Sequence, residues 1–366
     1  MAYKVPFVNV PAHYGSMREE VLKAVDDSLS RGDVIMRSDM HEFESAIASM
    51  VGTRYAVGVN SGFDALHHSV RAAELGPRDE VITVAHTFVA TVAAIVHCGA
   101  TPVLVDVGED FNIVMDELEQ AITERTRAVI PVHLNGRLCD MERLMAIARA
   151  HNLIVIEDAA QALGATFDGQ MAGSFGLTGC FSLYPFKMLG AFGDGGIVTT
   201  NDADIADRIT SLRDHGQDRN TGDIRFYGFN TRLDNLHAAI LNVKLRYFPG
   251  WIQRRREIAD AYWSGLSEVP FIKVPHFHDP RYYDVYQNYV IRAERRDALV
   301  EHLRNKDIEV LISWEKPMHH HQALGLGHFS LPETEKLCGE VLSLPMHPDL
   351  SDEQVEYVIE AVRSFY

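Results

Sequence analysis

The chain has 366 residues, with 34 Lys and Arg against 51 Asp and Glu, for a formal net charge of −17. That length buries a full hydrophobic core without disulfide or metal staples and predicts about two domains. A composition 46% hydrophobic and 23% charged, with 26 Gly and 14 Pro, excludes a disordered or low-complexity chain, and the acidic field excludes nucleic acid as an expected partner.

Four cysteines, Cys98, Cys139, Cys180 and Cys338, show neither CxxC pairing nor metal spacing, so reduced thiols and a cytoplasmic location are expected. The N-terminal residues lack the basic-then-apolar pattern of a signal peptide. The most apolar run, Phe88 to Cys98, is interrupted by Thr91 and His97 and is shorter than the ~20 residues a bilayer requires. No membrane association is expected.

From residue 55 to 200, β-branched runs alternate with helical patterns. Strands are predicted at Tyr55–Val59, Glu80–Thr83, Thr101–Asp106, Ala128–His133, Leu153–Glu157, Cys180–Leu183 and Gly196–Thr199. Helices are predicted at Ala65–Glu74, Val89–Cys98 and Met141–His151. Such alternation indicates βαβ units, an α/β fold and a mainly parallel sheet. Near-continuous apolar strands such as Ala128–Val132 fit a sheet covered on both faces. Beyond residue 233 the pattern changes. A helix over Leu233–Arg255 is expected to break near Pro249-Gly250. A strand at Tyr286–Arg292, a helix at Arg296–Asn305, a strand at Ile308–Ile312 and helices at Glu333–Ser343 and Asp352–Tyr366 follow. These predict a large domain over residues 1–250 and a smaller αβ domain over 251–366.

Four segments carry chemistry. In Val59-Asn60-Ser61-Gly62-Phe63-Asp64 a strand meets a helix start, where free amides and the helix dipole suit an anion; a generic strand-to-helix turn looks similar. In Ala85-His86-Thr87-Phe88 an aromatic stands at another such junction, placed to stack on a ring or to pack in the core. Ile154-Val155-Ile156-Glu157-Asp158-Ala159-Ala160-Gln161 ends an apolar strand in two carboxylates, at the edge where open α/β sheets bind ligands. Asp158 could face a protonated ring nitrogen or cap a helix. In Ser182-Leu183-Tyr184-Pro185-Phe186-Lys187 a lysine lies among apolar neighbours. Desolvation lowers its proton affinity and suits it to attack a carbonyl, although a snorkelling lysine has the same surroundings.

The order of these segments resembles that of pyridoxal 5'-phosphate (PLP) enzymes with the aspartate-aminotransferase-like fold. The chain most resembles the DegT/StrS-type sugar aminotransferase family. Further matches run through Gly76–Thr83, Val103–Val107, Pro131–Gly136, His215-Gly216-Gln217, Asn230–Asp234 and Ser343–Pro348. The resemblance implies Lys187 as the catalytic lysine that carries the cofactor. It implies Asp158 as partner of the ring nitrogen, Gln161 as donor to the ring's 3′-oxygen, and Phe88 and Ala160 on the two ring faces. It further implies phosphate contacts from the Gly62 and Phe63 amides and the Ser182 hydroxyl. Asn230 would reach the phosphate from a neighbouring subunit, which makes a homodimer with shared sites the expected assembly. Arg232, Trp314 and His319 are implied on the substrate side. Phe63 stands where Thr is common, Met188 where Asn is frequent, and Ser313-Trp314-Glu315 replaces a usual His-Tyr-Pro pattern.

The implied reaction moves an amino group from L-glutamate to a nucleotide-linked ketosugar. The run Leu189–Gly196 favours C-3 over C-4. The alternatives are a non-catalytic PLP-binding sensor, a cyclitol aminotransferase, and a dehydratase of the same fold, against which Lys187 argues. His319-His320-His321 raises the question of a metal. Three consecutive residues point in different directions, so none is expected.

Overall fold

The computed structural model describes residues 3–275 and 279–366. Its centre is a seven-stranded sheet built from β1 (Tyr55–Val59), β2 (Glu80–Val84), β3 (Thr101–Val105), β4 (Thr126–Val129), β5 (Ile154–Asp158), β6 (Thr178–Ser182) and β7 (Gly196–Thr200). The spatial order is β1-β7-β6-β5-β4-β2-β3. All neighbours are parallel except β7, which runs antiparallel to both β1 and β6. Every residue of β2 and of β7 is buried, as expected where helices cover both faces.

Because β1 to β6 run the same way, their C-terminal ends open on one edge. β1, β2, β5 and β6 are each followed there by a turn that bears one of the four segments described above. Helices Gly62–Ala72 and Val89–His97 leave directly from this edge.

Helix Asn235–Leu266 is continuous, and Pro249 lies inside it. The expected break does not occur. Pro249 and Gly250 are exposed, while Phe248 and Ile252 are anchored in the core on the opposite side. The proline ring points to solvent, and the carbonyl it leaves unpaired can bond water. Packing therefore overrides the local penalty. The first half of this helix joins the core under the large sheet through Ala238, Leu241, Phe248 and Ile252. Its second half, through Ile258, Tyr262 and Leu266, enters a second core with Tyr289, Ile291, Leu299, Leu342 and Val358.

That second core lies under a three-stranded sheet of Ile272–Lys273, Tyr289–Ala293 and Val341–Leu344. The helix expected over Glu333–Ser343 is Pro332–Glu340, and its last residues are instead a strand. Ile308–Ile312 forms only isolated bridges, Val5 to Ile308 and Leu311 to Ser343. Among the described residues no helix is long and apolar enough to cross a membrane.

Candidate active site

A cavity of about 470 Å³ opens on the C-terminal edge of the sheet. Gly62, Phe63, Phe88, Asp158, Ala160, Gln161, Ser182, Lys187 and Trp314 all lie on its wall. They come from the turns after β1, β2, β5 and β6 and from the C-terminal third of the chain.

At one end is the N-terminus of helix Gly62–Ala72. Ser61 caps it, accepting from the Asp64 N–H at 3.1 Å and donating its own proton to Asp64 Oδ2 at 2.7 Å. The Gly62 and Phe63 amides at the start of the first turn have no partner within the helix and point past its end. A Cβ built on Gly62 would lie 2.7 Å from the Ser182 Cβ, so the turn after β1 and the end of β6 close together into one cradle. Ser182 Oγ accepts weakly from the Tyr184 N–H at 3.4 Å, which leaves its hydroxyl proton available.

The floor is Asp158, 5% exposed. Its Oδ2 accepts from the Thr91 hydroxyl at 2.7 Å and its Oδ1 from the Ala160 N–H at 3.2 Å. Thr91 spends its proton on the carboxylate, so in the 2.8 Å contact between the two hydroxyls Thr87 is the donor. Burial pushes the Asp158 carboxyl pKa up, against the lowering by the Thr91 and Ala160 hydrogen bonds and the Lys187 charge. This carboxylate is desolvated beyond what its partners offset, and a cation beside it would be stabilised. Gln161 Oε1 accepts the Asn135 N–H at 2.8 Å, which fixes the amide orientation and leaves its NH₂ to donate.

The neighbouring carboxylate does something else. Successive residues of a strand face opposite ways. Glu157 is fully buried and accepts the amides of Gly173, Phe175 and Gly176, each at 2.8 Å. It also meets His133 Nε2 at 3.1 Å. His133 Nδ1 accepts the Cys139 N–H at 3.2 Å, which puts the imidazole proton on Nε2 toward Glu157. Of the two acids only Asp158 faces the cavity.

Lys187 is partly buried on the turn after β6. Burial pushes its pKa down to about 8, and the Asp158 charge opposes part of that shift. Phe88 stands at the rim, 63% exposed. Trp314 holds a left-handed backbone (φ +57°) and meets the buried His86 edge-to-face at 5.2 Å.

Three of the singled-out residues are not on this wall. Asn230 is exposed. Arg232 Nη1 donates to Asp214 Oδ1 at 3.1 Å. His319 is 1% exposed, and its Nε2 lies 3.0 Å from Glu335 Oε1. His320 Nε2 reaches the same oxygen at 3.6 Å, so His319, His320 and Glu335 converge within 4.8 Å. That oxygen also accepts the Leu331 N–H at 3.3 Å, and His319 Nδ1 lacks the partner that orients a metal-bound imidazole. Thr87, Thr91 and His133 also contribute to this site, and no local pattern in the sequence marks them. Thr91 was visible only as a hydroxyl one helical turn past Phe88.

Residues 15–363 match the DegT/DnrJ/EryC1/StrS aminotransferase family model. The chain belongs to this family. It is 41% identical over 363 residues, covering 99% of both chains, to the dTDP-3-amino-3,6-dideoxy-alpha-D-galactopyranose transaminase of Aneurinibacillus thermoaerophilus. It is 39% identical over 372 residues to a "Pleiotropic regulatory protein" of Geobacillus stearothermophilus, covering 99% of this chain and 98% of that one. The crystal structure of S. venezuelae DesV superposes with a TM-score of 0.96 at 40% identity, covering 100% and 99% of the two chains. The PLP-form of Spr1654 from Streptococcus pneumoniae gives 0.89 at 28% identity, covering 100% and 98%.

This aminotransferase is therefore a PLP enzyme, and its own residues fit that group. A desolvated carboxylate awaits a cation, and an oriented carboxamide has free N–H groups. An amine of lowered proton affinity completes the floor, and a helix N-terminus faces Ser182 across the cradle.

Proposed function

We propose that this aminotransferase moves the amino group of L-glutamate to C-3 of a nucleotide-linked 3-ketosugar. The observation that carries the reading is the convergence of Lys187 and Asp158 on one cavity. Bound PLP supplies an electron-accepting ring and an electrophilic carbon. Lys187 Nζ carries the cofactor and, once displaced, takes the α-proton of the donor and returns a proton on the way to product. A pKa near 8 suits both duties. Asp158, steadied by Thr91, keeps positive charge on the ring nitrogen. Gln161 donates to the ring's 3′-oxygen. Phe88 and Ala160 cover the two ring faces, and Ser182 with the Gly62 and Phe63 amides holds the phosphate.

Arg232 is assigned to the donor carboxylate and Trp314 to the wall of the sugar site. His319, sealed against Glu335, supports the segment that carries Trp314. Asn230 is exposed in the single chain, which supports its service to the phosphate of a neighbouring subunit in a homodimer. The four unpaired cysteines support a cytoplasmic location. The change of core along helix Asn235–Leu266 supports a division into residues 1–250 and 251–366.

The C-3 assignment draws on the run Leu189–Gly196 and on the 3-amino product named for the Aneurinibacillus relative. The test is a panel of dTDP-, UDP- and GDP-linked 3- and 4-ketosugars, with 2-oxoglutarate release from L-glutamate as the readout. Turnover with a 3-ketosugar is expected. Turnover confined to 4-ketosugars overturns the C-3 assignment, and no 2-oxoglutarate from the PLP-loaded protein with any acceptor overturns the enzyme reading.

A further inference from the structure

Lys187 lies on a turn outside the sheet ladder, tied within itself by the Lys187 N–H to the Tyr184 carbonyl at 2.8 Å. A turn so placed needs an outside partner to hold its one reactive side chain at a fixed point. That partner is Gln287, 101 residues from Phe186 in sequence. Its Oε1 accepts the Met188 N–H at 2.9 Å, and its Nε2 donates to the Phe186 carbonyl at 3.0 Å. A carboxamide presents its acceptor and donors in one plane, as a strand presents its C=O and N–H. It therefore pairs with the backbone on both sides of Lys187 at once. Gln287 and Met188 are 8% and 6% exposed, so little water competes for these bonds.

Gln287 is itself held. Arg255, 5% exposed on helix Asn235–Leu266, donates through Nη1 to the carbonyls of Tyr286 at 2.9 Å and Gln287 at 3.1 Å. Tyr286 has φ +52°, a conformation costly for a tyrosine unless its surroundings impose it. On the other side the Val285 N–H donates to the Gly136 carbonyl at 3.0 Å. A Cβ on Gly136 would lie 2.8 Å from the Tyr286 nitrogen, so the two backbones touch. Gly136 follows Asn135, whose N–H orients Gln161. One short segment thus braces both the turn that aims Gln161 and the turn that carries Lys187.

We propose that Gln287 is a positioning residue for Lys187, clamping the Phe186–Met188 backbone so that the amine stays aimed into the Asp158 cavity. The proposal rests on Lys187 as the cofactor lysine. A lysine displaced by ~1 Å loses about a hundredfold in rate, while substrate affinity, set elsewhere in the cavity, is untouched.

The test compares wild type with Gln287→Met, which keeps the length and loses both bonds, and Gln287→Glu, which keeps the acceptor and loses the donor. Two properties are read. One is single-turnover release of 2-oxoglutarate from L-glutamate by the PLP-loaded protein, as maximal rate and half-saturating concentration. The other is the pH profile of reductive methylation of Lys187 in the cofactor-free protein, by peptide mass spectrometry.

Gln287→Met is expected to lower the maximal rate about 10- to 100-fold with half-saturation within about twofold. Its methylation midpoint is expected to rise as water reaches the amine. Gln287→Glu is expected to lose less. Unchanged rate and methylation profile in Gln287→Met overturn the clamp, and so does a shift in half-saturation alone. If Gln287→Met does not fold, Gln287→Glu decides, and wild-type behaviour in both measurements overturns the proposal. Lys187→Ala separates the two ideas: a Lys187→Ala protein that still turns over refutes the lysine assignment itself, whatever Gln287 does.

Discussion

The Thr91 hydroxyl donates to Asp158 Oδ2 at 2.7 Å, and Thr87 in turn lies 2.8 Å from Thr91. This relay from the first turn of helix Val89–His97 is the only side-chain hydrogen bond to Asp158 found among the described residues. It holds down a carboxyl pKa that burial pushes up. Thr91→Val removes the donor at nearly constant volume. Losing a hydrogen bond to a charged group costs about 1.5–3 kcal/mol, so the maximal rate of 2-oxoglutarate release should fall about tenfold or more. Thr91→Ser keeps the hydroxyl and should recover most of the rate. A Thr91→Val protein with wild-type kinetics would show that Asp158 needs no such support.

Gly62 is required by space rather than by backbone conformation. Its added Cβ would meet the Ser182 Cβ at 2.7 Å and Cα at 3.1 Å. Gly62→Ala should push β6 from the helix end, cost about 1–3 kcal/mol of stability, and weaken PLP binding at least about tenfold. Absorbance titration of the cofactor-free protein with PLP measures the second effect, and a thermal melt the first. Unchanged PLP affinity would place the phosphate elsewhere.

What the sequence showed and what it hid follow from range. The parallel strands were legible because burial on both faces makes them apolar throughout, as in β2. Lys187 and Asp158 stood out where apolar strands end, but that pattern alone left each open to a plain structural use, and only the family resemblance implied their roles. Glu157 and Asp158 could not be told apart by type, but strand alternation separates them once β5 is known. The bonds Thr91–Asp158 and Gln287–Met188 join residues far apart in sequence, and no local pattern announces them. Pro249 misled because its penalty is local while the anchors Phe248 and Ile252 are tertiary. The ion pairs of Arg213, Arg219 and Arg225 with Glu44, Asp214 and Asp207 also carry no local sign.

The Lys187 pKa of about 8 has two opposed causes, burial lowering it and the Asp158 charge raising it. In the cofactor-free protein the amine is protonated below about pH 8 and neutral above. Between there and the ordinary lysine value of 10.5 the unfolded chain binds the extra proton. Through this group, stability therefore rises with pH across that window. Asp158→Asn removes the charge that favours the ammonium, so the midpoint of Lys187 methylation should move down. In the PLP-loaded protein the same substitution should cost about a hundredfold or more in 2-oxoglutarate release. A midpoint that stays in place or rises would show that the two groups do not share an electrostatic environment.

The proposed shared site makes a prediction that a single-chain site does not. Lys187 would serve the cavity of its own chain, and Asn230 that of the neighbour. Lys187→Ala subunits should be inactive, and Asn230→Ala subunits should show weakened PLP retention. If the two are mixed, unfolded and refolded in equal amounts, half of the dimers are mixed. Each mixed dimer carries one site with both residues intact and one with neither. Where PLP is scarce enough to silence the Asn230→Ala parent, activity should then recover to about a quarter of wild type, because dimers pair at random and half of the dimers hold one intact site of two. Gel filtration of wild type should show a dimer at assay concentration. No recovery on co-refolding, with dimers present, would assign Asn230 to its own chain's surface.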